Sequence, residues 1–217
     1  MIGSVLRAAG DVNGAVASSH FQVVLVGKDK GGKQAIASVY SSDTGNWGDL
    51  ISTPCPSMIP LVAPGVLVGG SVCWLIFEWS RSVGALEFDL DRQRLAVIEM
   101  PEGMSGCHIT IVPAKGGGLG FLCLSSFRLE SWKRKTDVDS GWVLVSTVEL
   151  DKLLSLSWDG QTKLSIYGYV DGSNELLLTT YDTIFVIQLD SMKFKKSFGI
   201  FRPNCGHPFS CVYVPGI

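Results

Sequence analysis

Ala85–Pro101 reads ALEFDLDRQRLAVIEMP, and within it Phe88, Asp91 and Leu95 set a pattern: an apolar residue, an aspartate three positions on, and a large apolar residue four beyond that. Runs of strand-forming residues flank the aspartate, so the stretch reads as two antiparallel strands around a tight turn. Tyr40, Asp43 and Trp47 repeat the pattern, as do Ile187, Asp190 and Phe194. Phe127–Trp142 counts as the fourth copy: a longer charged loop, Lys133–Ser140, stands in for the tight turn and ends at the equivalent large residue, Trp142.

The large residues Trp47, Leu95, Trp142 and Phe194 recur 48, 47 and 52 positions apart, close to the ~50 residues of a kelch-type blade. The aspartate is expected to accept amides in the turn between the third and fourth strands of a blade, and the large residue to open the outer strand and pack on its neighbour. A four-stranded sheet has two faces to bury, and stacking blades around an axis covers both. Working outward from the repeat, strands are expected at Phe21–Val26, Ala35–Tyr40, Val66–Val68, Ser71–Phe77, Gly84–Asp89, Leu95–Glu99, Cys107–Val112 and Leu119–Ser125. Phe127–Trp132, Trp142–Val148, Leu164–Val170, Glu175–Thr180, Thr183–Gln188 and Phe194–Phe198 continue the series.

The fold class this predicts is all-β: a partial or small β-propeller, kelch-like, of about four four-stranded antiparallel blades. Residues 1–20 form an N-terminal segment and 21–217 the propeller region, with a last strand at Phe209–Val214; in a small closed ring Val5–Ala8 and that terminal strand would complete split blades. A mean hydropathy of +0.28 is high for a small closed ring, so the chain is expected to be the C-terminal part of a longer propeller, with faces meant for further blades.

Composition narrows the function classes. With 46% hydrophobic and 18% charged residues the chain is not disordered, and its 217 residues are enough to bury a core without metals or disulfides. A net charge of −2 gives no long-range attraction for nucleic acid or an anionic membrane, so neither is expected as a partner. No run approaches the ~18 apolar residues of a membrane span, and Met1–Gly10 lacks the apolar centre of a signal peptide. Cys55, Cys73, Cys107, Cys123, Cys205 and Cys211 are irregularly spaced, several within apolar runs, and read as free thiols in a reducing compartment. The expected location is cytoplasmic, nuclear or both.

No catalytic, cofactor or metal residues are expected. Gly27–Lys33 (GKDKGGK) has the spacing of a phosphate loop, but Gln34 replaces the hydroxyl that would hold magnesium and a strand follows where a helix must begin, so it reads as a lysine-rich hairpin turn. Cys107 with His108, and Cys205 with His207 and Cys211, are the local soft-ligand clusters, and neither has a Cys-x-x-Cys pair. Three histidines, no Gly-x-Ser-x-Gly elbow, and carboxylates that flank turns (Asp89, Asp91) or end a strand (Glu149, Asp151) argue against hydrolase chemistry. Trp132, Lys133, Arg134 and Lys135 join an aromatic to three cations in an inter-strand loop and are the first choice for a partner contact.

Val66–Leu75 (VLVGGSVCWL) and Ala85–Pro101, together with FQVVLVGKD at 21–29, ASVYSSDTGNW at 37–47, GGGLGFLC at 116–123, WVLVSTVELDKL at 142–153 and PFSCVYVP at 208–215, resemble the F-box-associated β-propeller region of the large plant F-box families, cereal members especially. The resemblance covers nearly the whole chain. It implies a module that selects a protein substrate for a Skp–cullin–F-box ubiquitin ligase. No amphipathic Leu-Pro helical segment precedes the strands, so a Skp-type adaptor is expected as a partner only if an F-box lies upstream. The rival readings are a truncated remnant without a ligase role and an enzyme on a propeller scaffold.

Overall fold

In the computed structural model the three signature segments are hairpins in which the first and last members face each other: Tyr40 lies opposite Trp47, Phe88 opposite Leu95 and Ile187 opposite Phe194. An offset of seven residues across a tight turn brings both side chains to one face, which is why the pattern repeats. The structure describes residues 2–7, 21–60, 65–78, 81–102, 104, 107–135, 141–156, 163–170 and 172–198. The strand expected at Phe209–Val214 lies outside them.

The chain divides into two units, Met1–Met100 and Pro101–Ile217. The N-terminal unit holds two antiparallel sheets. The first contains β1 (Ile2–Arg7), β2 (Phe21–Lys28), β3 (Gln34–Ser41), β4 (Asn46–Trp47) and β5 (Ile51–Pro54). β4 pairs with one end of β3 and β5 with the other, so the two are a single interrupted fourth strand. At the interruption Gly48 still donates its N–H to the Val39 carbonyl at 2.8 Å. The second sheet is β6 (Val66–Val68), β7 (Ser71–Glu78), β8 (Arg81–Asp89) and β9 (Arg94–Glu99), in that order.

The C-terminal unit repeats the plan with β10 (His108–Pro113), β11 (Leu119–Ser125), β12 (Arg128–Arg134) and β13 (Trp142–Glu149), then β14 (Ser165–Val170), β15 (Glu175–Thr179), β16 (Thr183–Gln188) and β17 (Phe194–Phe198). Among the described residues the fold is therefore all-β, a succession of four antiparallel meanders of blade type, with one five-residue helix, α1 (Leu150–Leu154), between β13 and β14. That helix departs from the sequence expectation. Leu150 and Leu154 are buried in the core of the unit, and the Leu150 N–H donates to the Phe127 carbonyl at 2.7 Å, so one helical turn caps the end of the sheet.

Each unit buries the faces of its own two sheets against each other. In the N-terminal unit Val24 and Val26 of β2, with the small Ala35 and Ala37 of β3, share a core with Trp74 and Ile76 of β7 and Leu86 and Phe88 of β8. In the C-terminal unit Leu122 and Leu124 of β11 and Leu129 of β12 meet Leu176, Leu178, Phe185 and Ile187. β11 is buried at every position from Leu119 to Leu124, and in β7 Cys73 is as buried as its neighbours Val72 and Trp74, so both faces of these inner strands are covered. Such runs lose the alternation of a half-exposed strand and read as continuous apolar stretches, as blade stacking requires.

Turn chemistry differs in detail from expectation. In the β8–β9 turn the carboxylate that accepts amides is that of Asp89, two residues before the signature aspartate: it takes the N–H of Asp91 at 3.0 Å and of Arg92 at 2.8 Å. The Ser41 hydroxyl plays the same part for the Asp43 amide. The position after the apolar residue still lies on the strand, facing back over the turn, and is better placed to reach its amides. The reading of Gly27–Lys33 as a hairpin turn matches the β2–β3 connection, where the Asp29 carboxylate accepts the amides of Gly31, Lys33 and Gln34.

Cys107 and Cys123 depart from the expected thiols and form a disulfide, whereas the buried Cys55 and Cys73 form none. Ile109 pairs with Cys123, so Cys107, two residues earlier, sits diagonally across from Cys123 on the same face, with the Cα atoms 6.0 Å apart. That separation suits a cross-strand bridge.

A candidate binding cleft in the C-terminal unit

β12 alternates Leu129, Ser131 and Lys133 onto one face, and β13 sets Val148 and Ser146 opposite the first two. The register then slips: Ser131 faces Ser146 but Trp132 faces Leu144, which leaves Val145 as an extra, bulged residue. A bulge breaks the alternation of a strand and re-aims a side chain. Here it turns Val145 to the same side as Ser146 and Val148, where all three line a cleft of about 550 Å³. That volume lies within the ~300–1,000 Å³ typical of ligand sites.

The far wall comes from the second sheet of the unit: Tyr169 and Asn174 from the β14–β15 hairpin, and Leu189, Asp190 and Met192 from the β16–β17 turn. The Tyr169 hydroxyl donates to Asn174 Oδ1 at 3.0 Å, and the Leu189 N–H donates to the Asn174 carbonyl at 3.1 Å, which joins the two turns into one rim. The floor is apolar, with Val112, Leu122 and Leu129 buried beneath it. The charged groups lining the cleft are Lys115, Lys133 and Asp190.

Lys133 is held in place. Its Nζ donates to the Lys115 carbonyl at 3.1 Å, in the turn between β10 and β11. That turn runs through Gly116, Gly117 and Gly118 at φ of 79°, 88° and 85°, three successive values that only glycine adopts without strain. A Cβ on Gly116 would stand 3.6 Å from Lys133 Nζ, in ordinary contact, which places the turn directly beside the ammonium.

β13 closes its sheet and, among the described strands, pairs only with β12. Val143, Leu144 and Val145 are 42%, 41% and 55% exposed, and no charged residue interrupts 142–148. An apolar outer strand without charge is a surface that attracts partners.

The structure places three of the four expected contact residues in a strand and not in a loop. Trp132, Lys133 and Arg134 belong to strand β12, and the Lys135 N–H bonds the Gly141 carbonyl at 2.8 Å to prolong the ladder; of the loop proper, 136–140 lie outside the described residues. Strand alternation then separates the four. Lys133 enters the cleft, whereas Trp132 points to the other face and donates Nε1–H to Glu130 Oε2 at 3.1 Å. Of the repeat-signature residues Asp190 lines the cleft. Trp142 opens β13 and stacks on Phe121 with centroids 4.7 Å apart, and Phe194 lies 6.4 Å from Phe185. Asp43, Trp47, Asp91 and Leu95 belong to the N-terminal unit. Val145, the residue that shapes the cleft, carries no signal in the sequence, because its orientation depends on the register of β12.

Among the described residues no three of His, Cys, Asp and Glu gather as metal ligands. Burial, followed by the nearby Lys163 charge, lowers the His108 pKa. Cys205, His207 and Cys211 lie outside the described residues. No described helix is long and apolar enough to cross a membrane. No protein-family model matches the chain, and no curated protein matches it.

Proposed function

We propose that the chain is a protein-interaction module, binding a segment of a partner protein in the cleft of the C-terminal unit rather than catalysing a reaction. The observation that carries this reading is the outer strand β13, whose bulged Val145 lines an apolar-floored cleft while Val143 and Leu144 stand exposed beside it. Hydrophobic area of this kind gains free energy when a partner covers it. On the strength of the sequence resemblance, the role proposed is that of the substrate-recognition region of an F-box protein, with a Skp-type adaptor joined only through an F-box outside these strands.

Selection of a phage-displayed library of random dodecapeptides on the immobilised full chain tests the reading. Enriched peptides should lose binding to Val145→Arg and keep it with Val97→Arg, a control at an exposed position of β9 in the other unit. Absence of enrichment, or binding indifferent to Val145→Arg, overturns it.

A further inference from the structure

We propose that the cleft selects peptides carrying a carboxylate side chain beside an apolar one, the carboxylate held by Lys133 and the apolar group seated between Leu129 and Val145. This rests on the binding reading above and adds the chemistry of the ligand.

Charge is the first ground. Lys133 spends one N–H on a neutral carbonyl and has, among the described residues, no carboxylate within ion-pair distance. An ammonium has three donors, so two remain for a ligand. Lys115 stands at the same corner, and the chain as a whole carries −2, so the positive corner is a local feature and not a general one.

Geometry is the second ground. A lysine side chain normally wanders, and ordering it upon binding costs conformational entropy. The bond to the Lys115 carbonyl, presented by a turn built from three positive-φ glycines, fixes the ammonium beforehand. A pre-placed cation next to a buried apolar floor favours a ligand that offers both kinds of group within a residue or two of each other.

The bulge supplies the third ground. Addition of a partner strand along the outer edge of β13 needs an unbroken ladder, and the extra residue at Val145 interrupts it. Recognition then falls on side chains, where the lysine is the distinguishing group.

Peptides whose binding is lost on Val145→Arg are synthesised in pairs, with each Asp or Glu replaced by Asn or Gln, and titrated by fluorescence polarisation against the wild-type chain, Lys133→Gln and Lys133→Arg. The expected result is a loss of about tenfold or more from the amide peptide, the same loss from Lys133→Gln, and no further loss when both are combined, because the two changes remove one interaction. Lys133→Arg should bind within a few-fold of wild type. Glutamine still has a donor for the Lys115 carbonyl, and unchanged thermal melting confirms that the turn is intact. Peptides sensitive to Val145→Arg but indifferent to Lys133→Gln, or to loss of their carboxylate, overturn this inference and leave the binding reading standing. Absence of any peptide sensitive to Val145→Arg overturns both.

Discussion

β9 and β13 hold the same place, the fourth strand of a meander, yet they meet solvent differently. β9 begins at Arg94 and ends at Glu99, buries Leu95 and Ile98, and keeps its register with β8 throughout. β13 carries no charge from Trp142 to Val148, exposes three consecutive apolar residues and slips register at Val145. Charged ends blunt an outer strand, whereas an uncharged one with exposed apolar side chains attracts a partner. One repeat position thus serves as plain wall in the N-terminal unit and as the lip of a cleft in the C-terminal unit. The equivalence of these strands in sequence does not make them equivalent in use.

Four measurements sharpen or break the contrast. The largest effect concerns what the units share: Phe88→Ala and Phe185→Ala each empty a fully buried aromatic site and should each lower unfolding free energy by about 3–5 kcal/mol in urea titrations. A loss below ~1 kcal/mol in either would mean that its unit lacks a packed core.

The next effect separates them. Reduction should cost the C-terminal unit about 3 kcal/mol, since Cys107 and Cys123 close a loop across a separation of 16 residues, while the N-terminal unit, whose Cys55 and Cys73 form no disulfide, stays unaffected. Cys107→Ser with Cys123→Ser should abolish the dependence on dithiothreitol in the same titrations.

Gly117→Ala forces a Cβ into a φ of 88° and should cost about 1–2 kcal/mol of stability. It should also weaken peptide binding, because the turn that presents the Lys115 carbonyl to Lys133 would distort. Unchanged stability would show that the turn tolerates an alanine and does not set the lysine.

Acid should give the smallest and most even effect. The Asp29 pKa is lowered chiefly by the Gln34 amide, that of Asp89 by the Arg92 amide and then its guanidinium, and that of Asp182 by the Thr183 hydroxyl and then that of Thr180. A lowered carboxylate contributes stability that is fully present above its unfolded pKa and lost as pH falls through the folded one. Loss should therefore set in below about pH 4. Replacing Asp29 and Asp89 with asparagine should flatten the acid limb of the N-terminal unit, and Asp182→Asn that of the C-terminal unit, read from urea midpoints between about pH 5 and about pH 3.

Much of the fold was legible because its information is local. The pairs Tyr40–Trp47, Phe88–Leu95 and Ile187–Phe194 lie seven positions apart, and a hairpin is decided over that distance. The short helix was legible in principle, since Leu150, Leu153 and Leu154 have helical spacing, but strand-forming residues on its upstream side masked it. The sequence marks Lys133 as part of a loop, and the structure sets it in a strand. The charge was readable, and its direction was not, because a side chain on a strand takes its face from the residues paired with it.

Apolar periodicity and turn residues along the chain were enough to set the strands, their hairpins and the fourfold meander, since each is fixed by neighbours within about ten residues. The diagonal that joins Cys107 to Cys123, the bulge at Val145 and the cleft whose walls run from Val112 to Met192 were decided only on folding. They depend on register and packing between segments far apart in the chain, and no local preference encodes which residues will meet there.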